Sequence, residues 1–147
     1  MLTTTLASIA LLPGLLTPTV ADVKQDTKLA ILAPTTLTAA KKGEFYGSGE
    51  GGARLYQIRV STEKDCTGAP CALATFSGSR DGTVHGKRKA TLAKGRKGRY
   101  TPLTCGASCS PPSIVWKEGG IVYEITMNAT RAQLVRMANS AIKKGPR

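Results

Sequence analysis

The chain has 147 residues, with 21 Lys plus Arg against 9 Asp plus Glu, a formal net charge of +12 and 41% hydrophobic residues. That length suits one domain, and that hydrophobic share supports a buried core, which excludes wholesale disorder. A single histidine and the lack of a dense acidic cluster leave most hydrolase and metalloenzyme chemistries few residues to work with.

Residues 1–21 carry no charged side chain. Leu6 to Leu16 is apolar, but Pro13 and Gly14 interrupt it, and it falls short of the ~20 apolar residues that span a bilayer. Thr19-Val20-Ala21 sets small residues where a signal peptidase cuts, ahead of Asp22. Residues 1–21 therefore read as an export signal peptide, though one without a basic start. No cysteine lies near the cut to take a lipid anchor, and no later apolar run is long enough to be a transmembrane segment.

Residues 22–52 read as a loosely structured segment, with an apolar patch from Leu29 to Ala33 that Pro34 limits. Gly43, Gly47, Gly49, Gly51 and Gly52 crowd around Phe45 and Tyr46, as in a mobile loop or a bulged edge strand. A phosphate-binding loop would need a helix directly after it, and none is indicated.

Residues 53–147 read as one α+β domain. Arg54 to Ser61 alternates, with Tyr56, Ile58 and Val60 on one face, and Cys71 to Ser77 places Ala72, Ala74 and Phe76 opposite Leu73 and Thr75. Ser79 to Gly82 reads as a turn, Thr83 to Leu92 as a polar basic strand, Lys94 to Lys97 as a turn and Gly98 to Thr104 as a strand. Ser113 to Lys117 and Ile121 to Met127 flank Glu118-Gly119-Gly120, a hairpin signal. Asn128 is placed to cap a helix from Ala129 to about Lys144, with Leu134, Val135, Ala138, Ala141 and Ile142 in one stripe and Gly145-Pro146 as the stop. The expected architecture is an antiparallel meander of five to six strands with this helix packed on one face.

Cys66, Cys71, Cys105 and Cys109 form two close pairs. In an exported protein an even set reads as two disulfides, and three connectivities are open. The turn-forming Thr67-Gly68-Ala69-Pro70 and the small Gly106-Ala107-Ser108 favour the local pairs Cys66–Cys71 and Cys105–Cys109. The rival is a zinc site of four thiolates in a nucleic-acid-binding protein, but its usual spacing is C-x2-C rather than the x4 and x3 found here.

The run Gly98-Arg99-Tyr100-Thr101-Pro102-Leu103-Thr104-Cys105-Gly106-Ala107-Ser108-Cys109-Ser110-Pro111-Pro112 carries a resemblance, continued by Ile114-Val115-Trp116, Gly119, Tyr123, Ile125 and Met137-Ala138-Asn139-Ser140-Ala141-Ile142. Over roughly residues 70–147 the chain resembles a family of small exported bacterial proteins, found mainly in cyanobacteria. The resemblance implies an envelope or extracellular location. That family has no assigned activity, so it implies no site residue.

The strongest candidate site is electrostatic. Residues 80–99 hold Arg80, Lys87, Arg88, Lys89, Lys94, Arg96, Lys97 and Arg99 against one acid, Asp81. Crowded cations repel, and a bound anion relieves that cost. The matching partners are anionic lipid head groups, acidic polysaccharide or a cell-envelope protein, with nucleic acid a weaker match. The plain alternative is a charged edge that blocks strand aggregation. A small hydrolase would have to use His85, the sole histidine, and a glycosidase would draw its carboxylates from Asp65, Asp81, Glu118 or Glu124, which nothing brings together. Trp116 and Tyr123 fit core packing better than a ligand groove. The sequence thus points to a non-catalytic secreted or periplasmic protein, with no catalytic residue, metal ligand or cofactor assigned.

Overall fold

The computed structural model describes residues 8–11, 13–39, 44–66 and 71–147. The start of the apolar leader, Gly43 and the Thr67–Pro70 turn lie outside the described residues.

The fold is α+β. Its centre is an open sheet of seven antiparallel strands: β3 (Tyr46–Gly51), β4 (Leu55–Ser61), β5 (Ala72–Ser79), β6 (Arg88–Thr91), β7 (Lys97–Thr101), β10 (Ser113–Glu118) and β11 (Ile121–Met127), in the spatial order β3-β4-β5-β11-β10-β7-β6. A two-stranded ribbon pairs β1 (Ser8–Leu11) with β2 (Thr36–Ala39), and a second pairs β8 (Thr104–Cys105) with β9 (Cys109–Ser110). Two helices, α1 (Pro13–Asp26) and α2 (Arg131–Lys144), are formed.

The alternating strands behave as their pattern dictates. Tyr56, Ile58 and Val60 of β4, Ala74 and Phe76 of β5, and Ile114, Trp116, Tyr123 and Ile125 of the β10–β11 hairpin all turn to one face and are buried. Trp116 stacks on Tyr123 with ring centroids 5.6 Å apart. Gly119 and Gly120 close that hairpin with φ of 58° and 76°, the left-handed values a tight two-residue hairpin turn requires. In α2, Leu134, Met137, Ala138, Ala141 and Ile142 are buried and Val135 is half-buried.

Four expectations need correction. The central sheet has seven strands, and it is not a plain meander, because β5 connects to β6 across the three strands between them. The basic strand expected over 83–92 is confined to β6, and residues 80–87 form that crossing loop. The cap of α2 is Thr130 rather than Asn128: its side chain accepts from the Gln133 N–H at 3.2 Å, and Gln133 Oε1 accepts from the Thr130 N–H at 2.9 Å, a reciprocal capping box.

The other correction concerns the amino-terminal third. Among the described residues of 22–52, an extended stretch is built into the core. Leu29, Ile31, Leu32 and Ala33 are buried, and two tyrosine hydroxyls hold this extended stretch. Tyr56 Oη accepts from the Leu32 N–H at 3.1 Å and donates to the Leu32 carbonyl at 3.2 Å, while Tyr123 Oη donates to the Ala30 carbonyl at 2.8 Å. These bonds satisfy polar backbone that could not otherwise be buried in a loop. The glycine-rich stretch becomes the edge strand β3. Finally, α1 runs unbroken through the expected Ala21/Asp22 cut, with Leu16, Thr19 and Val20 buried before it and Val23 after it.

α1 lies close against β3 because every second residue there lacks a side chain. A Cβ at Gly47 would stand 2.6 Å from Thr19 Oγ1, at Gly49 2.6 Å from Val23 Cγ2, and at Gly51 2.7 Å from the Val23 carbonyl oxygen. Both helices lie on the face of the sheet that carries Tyr56, Phe76 and Trp116, while the opposite face is mostly polar but buries Val115 and Val122, the latter beside Gly82 of the crossing loop.

Candidate anion-binding site

The pairing register fixes which basic residues meet. In β6 and β7, Lys89 stands opposite Arg99 and Thr91 opposite Lys97, all on the face away from the helices, while Ala90, Gly98 and Tyr100 turn inward and are buried. Lys89, Lys97 and Arg99 border a cleft of about 320 Å³ together with Val84 and Thr91. Like charges directly opposite on neighbouring strands destabilise the pair. Among the described residues no carboxylate forms an ion pair with any of the three.

The hairpin carrying them is anchored from the helix side. The short 3-10 turn Ala93–Gly95 places Lys94 at φ 55° and Gly95 at φ 70°, and the Ala93 N–H donates to Asn139 Oδ1 of α2 at 2.7 Å. Arg131 Nη2 donates to the Lys89 carbonyl at 2.5 Å, and its guanidinium lies 5.9 Å from the Tyr100 ring centroid. On the outer side the crossing loop presses on β7. Gly86 has φ 144°, and a Cβ there would stand 2.6 Å from Arg99 Cβ, so glycine serves both the backbone conformation and the close approach.

The remaining predicted cations disperse. Arg96 Nη2 donates to Glu118 Oε1 at 3.0 Å, and that bond pushes the Arg96 pKa up. Lys94 is exposed in the turn, Lys87 on the loop, and Arg88 on the other face of β6 from Lys89. Arg80 begins the loop beside the exposed Arg54–Asp81 pair, in which the Arg54 hydrogen bond holds the Asp81 carboxyl below its usual range. Eight candidates thus contract to three around one cleft. Position along the strand, rather than charge density, selects them, and sequence analysis missed that the face alternation within 88–91 and 97–99 already separates Lys89 and Arg99 from Arg88.

His85 sits on the crossing loop with its side chain 57% exposed, Nε2 3.7 Å from Glu124 Oε2. Of the four carboxylates considered for glycoside chemistry, Asp81 pairs with Arg54, Glu118 with Arg96 and Glu124 with His85, while Asp65 is exposed. The cysteines pair locally, Cys66 with Cys71 and Cys105 with Cys109, at Cα–Cα distances of 5.7 and 4.0 Å. This consumes all four thiols and removes the ligands of the zinc reading. Among the described residues no helix is long and apolar enough to cross a membrane. No family model, curated protein or solved structure matches the chain.

Proposed function

We propose that this is a non-catalytic binding protein of an oxidising compartment, secreted or periplasmic, that holds anionic groups in the cleft between β6 and β7. The ligand chemistry is that of phosphate, sulfate or carboxylate groups displayed on lipid head groups or acidic polysaccharide. The observation that carries this reading is the position of Arg99, beside Lys89 and Lys97. Strand-edge protection accounts for cations on an edge strand, here Arg88 and Lys89 of β6. It does not account for Arg99 of β7, which is paired on both sides, with Lys89 of β6 and Val115 of β10. Two local disulfides and the resemblance of residues 70–147 to an exported family support the compartment.

The test is salt-dependent retention on heparin and co-sedimentation with anionic vesicles. The variant Lys89→Gln/Lys97→Gln/Arg99→Gln is compared with the charge-matched Lys28→Gln/Lys64→Gln/Lys143→Gln. The reading expects the cleft variant to elute at less than about half the salt of the control. Equal elution of the two variants overturns it. Heparin and vesicle arms distinguish polysaccharide from lipid as the source of the anion.

A further inference from the structure

A second cationic cleft lies on the opposite side of the sheet, in the helical layer. Thr17, Val20, Ala21 and Lys24 follow one another along one face of α1, at the three- and four-residue spacing that aligns side chains on a helix. Lys144, at the end of α2, and Arg147 face them, and together the six enclose about 340 Å³.

The chemistry of this cleft differs from that of the β6–β7 cleft. Its floor is apolar, formed by Val20, which is 5% exposed, and by Ala21. Its rim carries three cations, and among the described residues none of them is in an ion pair. Arg147 is held in place: its N–H donates to the Ile31 carbonyl at 3.0 Å, and Nη2 donates to the Pro34 carbonyl at 3.3 Å. Its Nε is buried with no hydrogen-bond partner. Partial burial also lowers the Arg147 pKa.

We propose that this cleft binds a single-chain amphiphilic anion, an alkyl carboxylate of medium length. The carboxylate sits among Lys24, Lys144 and Arg147, and the alkyl chain lies on Val20 and Ala21. The volume is at the small end of ligand sites, which suits one alkyl chain better than two. The site needs residues on both sides of the Ala21/Asp22 junction, so it exists only in a chain that keeps α1 whole.

The experiment is a titration of the full chain with decanoate below its micelle concentration, followed by amide shifts in 1H–15N spectra and by calorimetry. Acetate supplies the charge without the chain, and decanol the chain without the charge. Decanoate is expected to shift amides of residues 17–24 and 144–147 and to bind at least ten-fold more tightly than acetate or decanol. Lys24→Gln/Lys144→Gln is expected to weaken it at least five-fold. Ala21→Trp, at an exposed position whose substitution leaves the core intact, fills the cleft and is expected to abolish binding. Unchanged decanoate affinity in both variants overturns the proposal, as does affinity equal to that of acetate. Loss of decanoate binding in the Lys89→Gln/Lys97→Gln/Arg99→Gln variant also overturns it, by locating the ligand at the other cleft.

Discussion

Replacing Gly49 by alanine tests whether α1 is part of the folded protein. The backbone of Gly49 is ordinary extended strand, so alanine meets no conformational penalty there. In a free edge strand the change stabilises by about 0.5–1 kcal/mol, because alanine loses less entropy on folding than glycine. With α1 docked, the new Cβ stands 2.6 Å from Val23 Cγ2, 3.1 Å from Thr19 Cγ2 and 3.1 Å from the Gln57 carbonyl oxygen. Val23 is 1% exposed, so its methyl group has nowhere to retreat. Overpacking of this kind costs about 1–3 kcal/mol and outweighs the entropic gain. Gly49→Ala is therefore expected to destabilise the full chain by about 1–2 kcal/mol, read as a lower urea midpoint with an unchanged slope, using the buried Trp116 as the fluorescent probe. In a Val23→Ala background, which removes Cγ2, the same change should cost little or nothing, giving a coupling of at least about 1 kcal/mol between the sites. A full-length Gly49→Ala protein as stable as its parent, with no coupling to Val23, would refute the docking of α1 on the glycine track.

Gly86→Ala should destabilise by about 1–3 kcal/mol in urea and weaken heparin retention, since both its φ of 144° and its contact with Arg99 exclude a side chain. Tyr56 and Tyr123 both have pKa values raised chiefly by burial, Tyr123 to about 12, while an unfolded tyrosine ionises near 10. Their contribution to stability is complete below pH 10 and is lost as pH rises from 10 toward 12, because the unfolded chain releases those protons first. Absorbance at 295 nm should show both ionising only together with loss of the native fluorescence, and Tyr123→Phe should flatten the alkaline decline. Cys105→Ser/Cys109→Ser removes a small ring in an exposed ribbon, so its cost should be about 2 kcal/mol or less, with Trp116 emission unchanged. Retention through the β6–β7 cleft should collapse between low and moderate salt, while decanoate binding, resting partly on an apolar floor, should fall much less.

What could be read from the chain follows from how local each signal is. Alternation reports which face of a strand is buried, so β4, β5, β10 and β11 and their inward residues were legible. The α2 stripe was legible for the same reason, although Met137 takes the buried place expected for Val135. Thr130-x-x-Gln133 is a capping-box pattern that the sequence displayed and that outranks Asn128. α1 was hidden because Pro13 and Gly14 read as helix breakers. Proline at the first helical position costs nothing, since its missing N–H has no partner there in any case. The glycines of β3 left loop and edge strand both open for another reason: a strand stripped of side chains on one face has no alternation to detect, and its meaning lies in the helix that packs on it. The cationic site was legible as charge but not as geometry: strand register separates Lys89 and Arg99 from Arg88, while Arg80 and Lys87 lie on the crossing loop, Lys94 in the turn and Arg96 against Glu118.

The compartment and the processing of the chain are separable questions, and the fold divides them. A cut after Ala21 would remove Leu16, Thr19 and Val20, three residues at most 7% exposed. Burying a leucine or valine side chain contributes about 1.5–3 kcal/mol, so Leu16 and Val20 together supply about 3–6 kcal/mol. Native domains as a whole are stable by about 5–15 kcal/mol. The same cut would leave Tyr56, Ile58 and Val60 of β4, all 0% exposed, with part of their cover gone, and would open the glycine track of β3 to another chain. The two disulfides, by contrast, close within 66–71 and 105–109 and need nothing from α1. The proposal of an oxidising location therefore draws on the cysteines and does not depend on a cleaved leader. A product beginning at Asp22 would be a different, weaker protein that lacks the α1–α2 cleft.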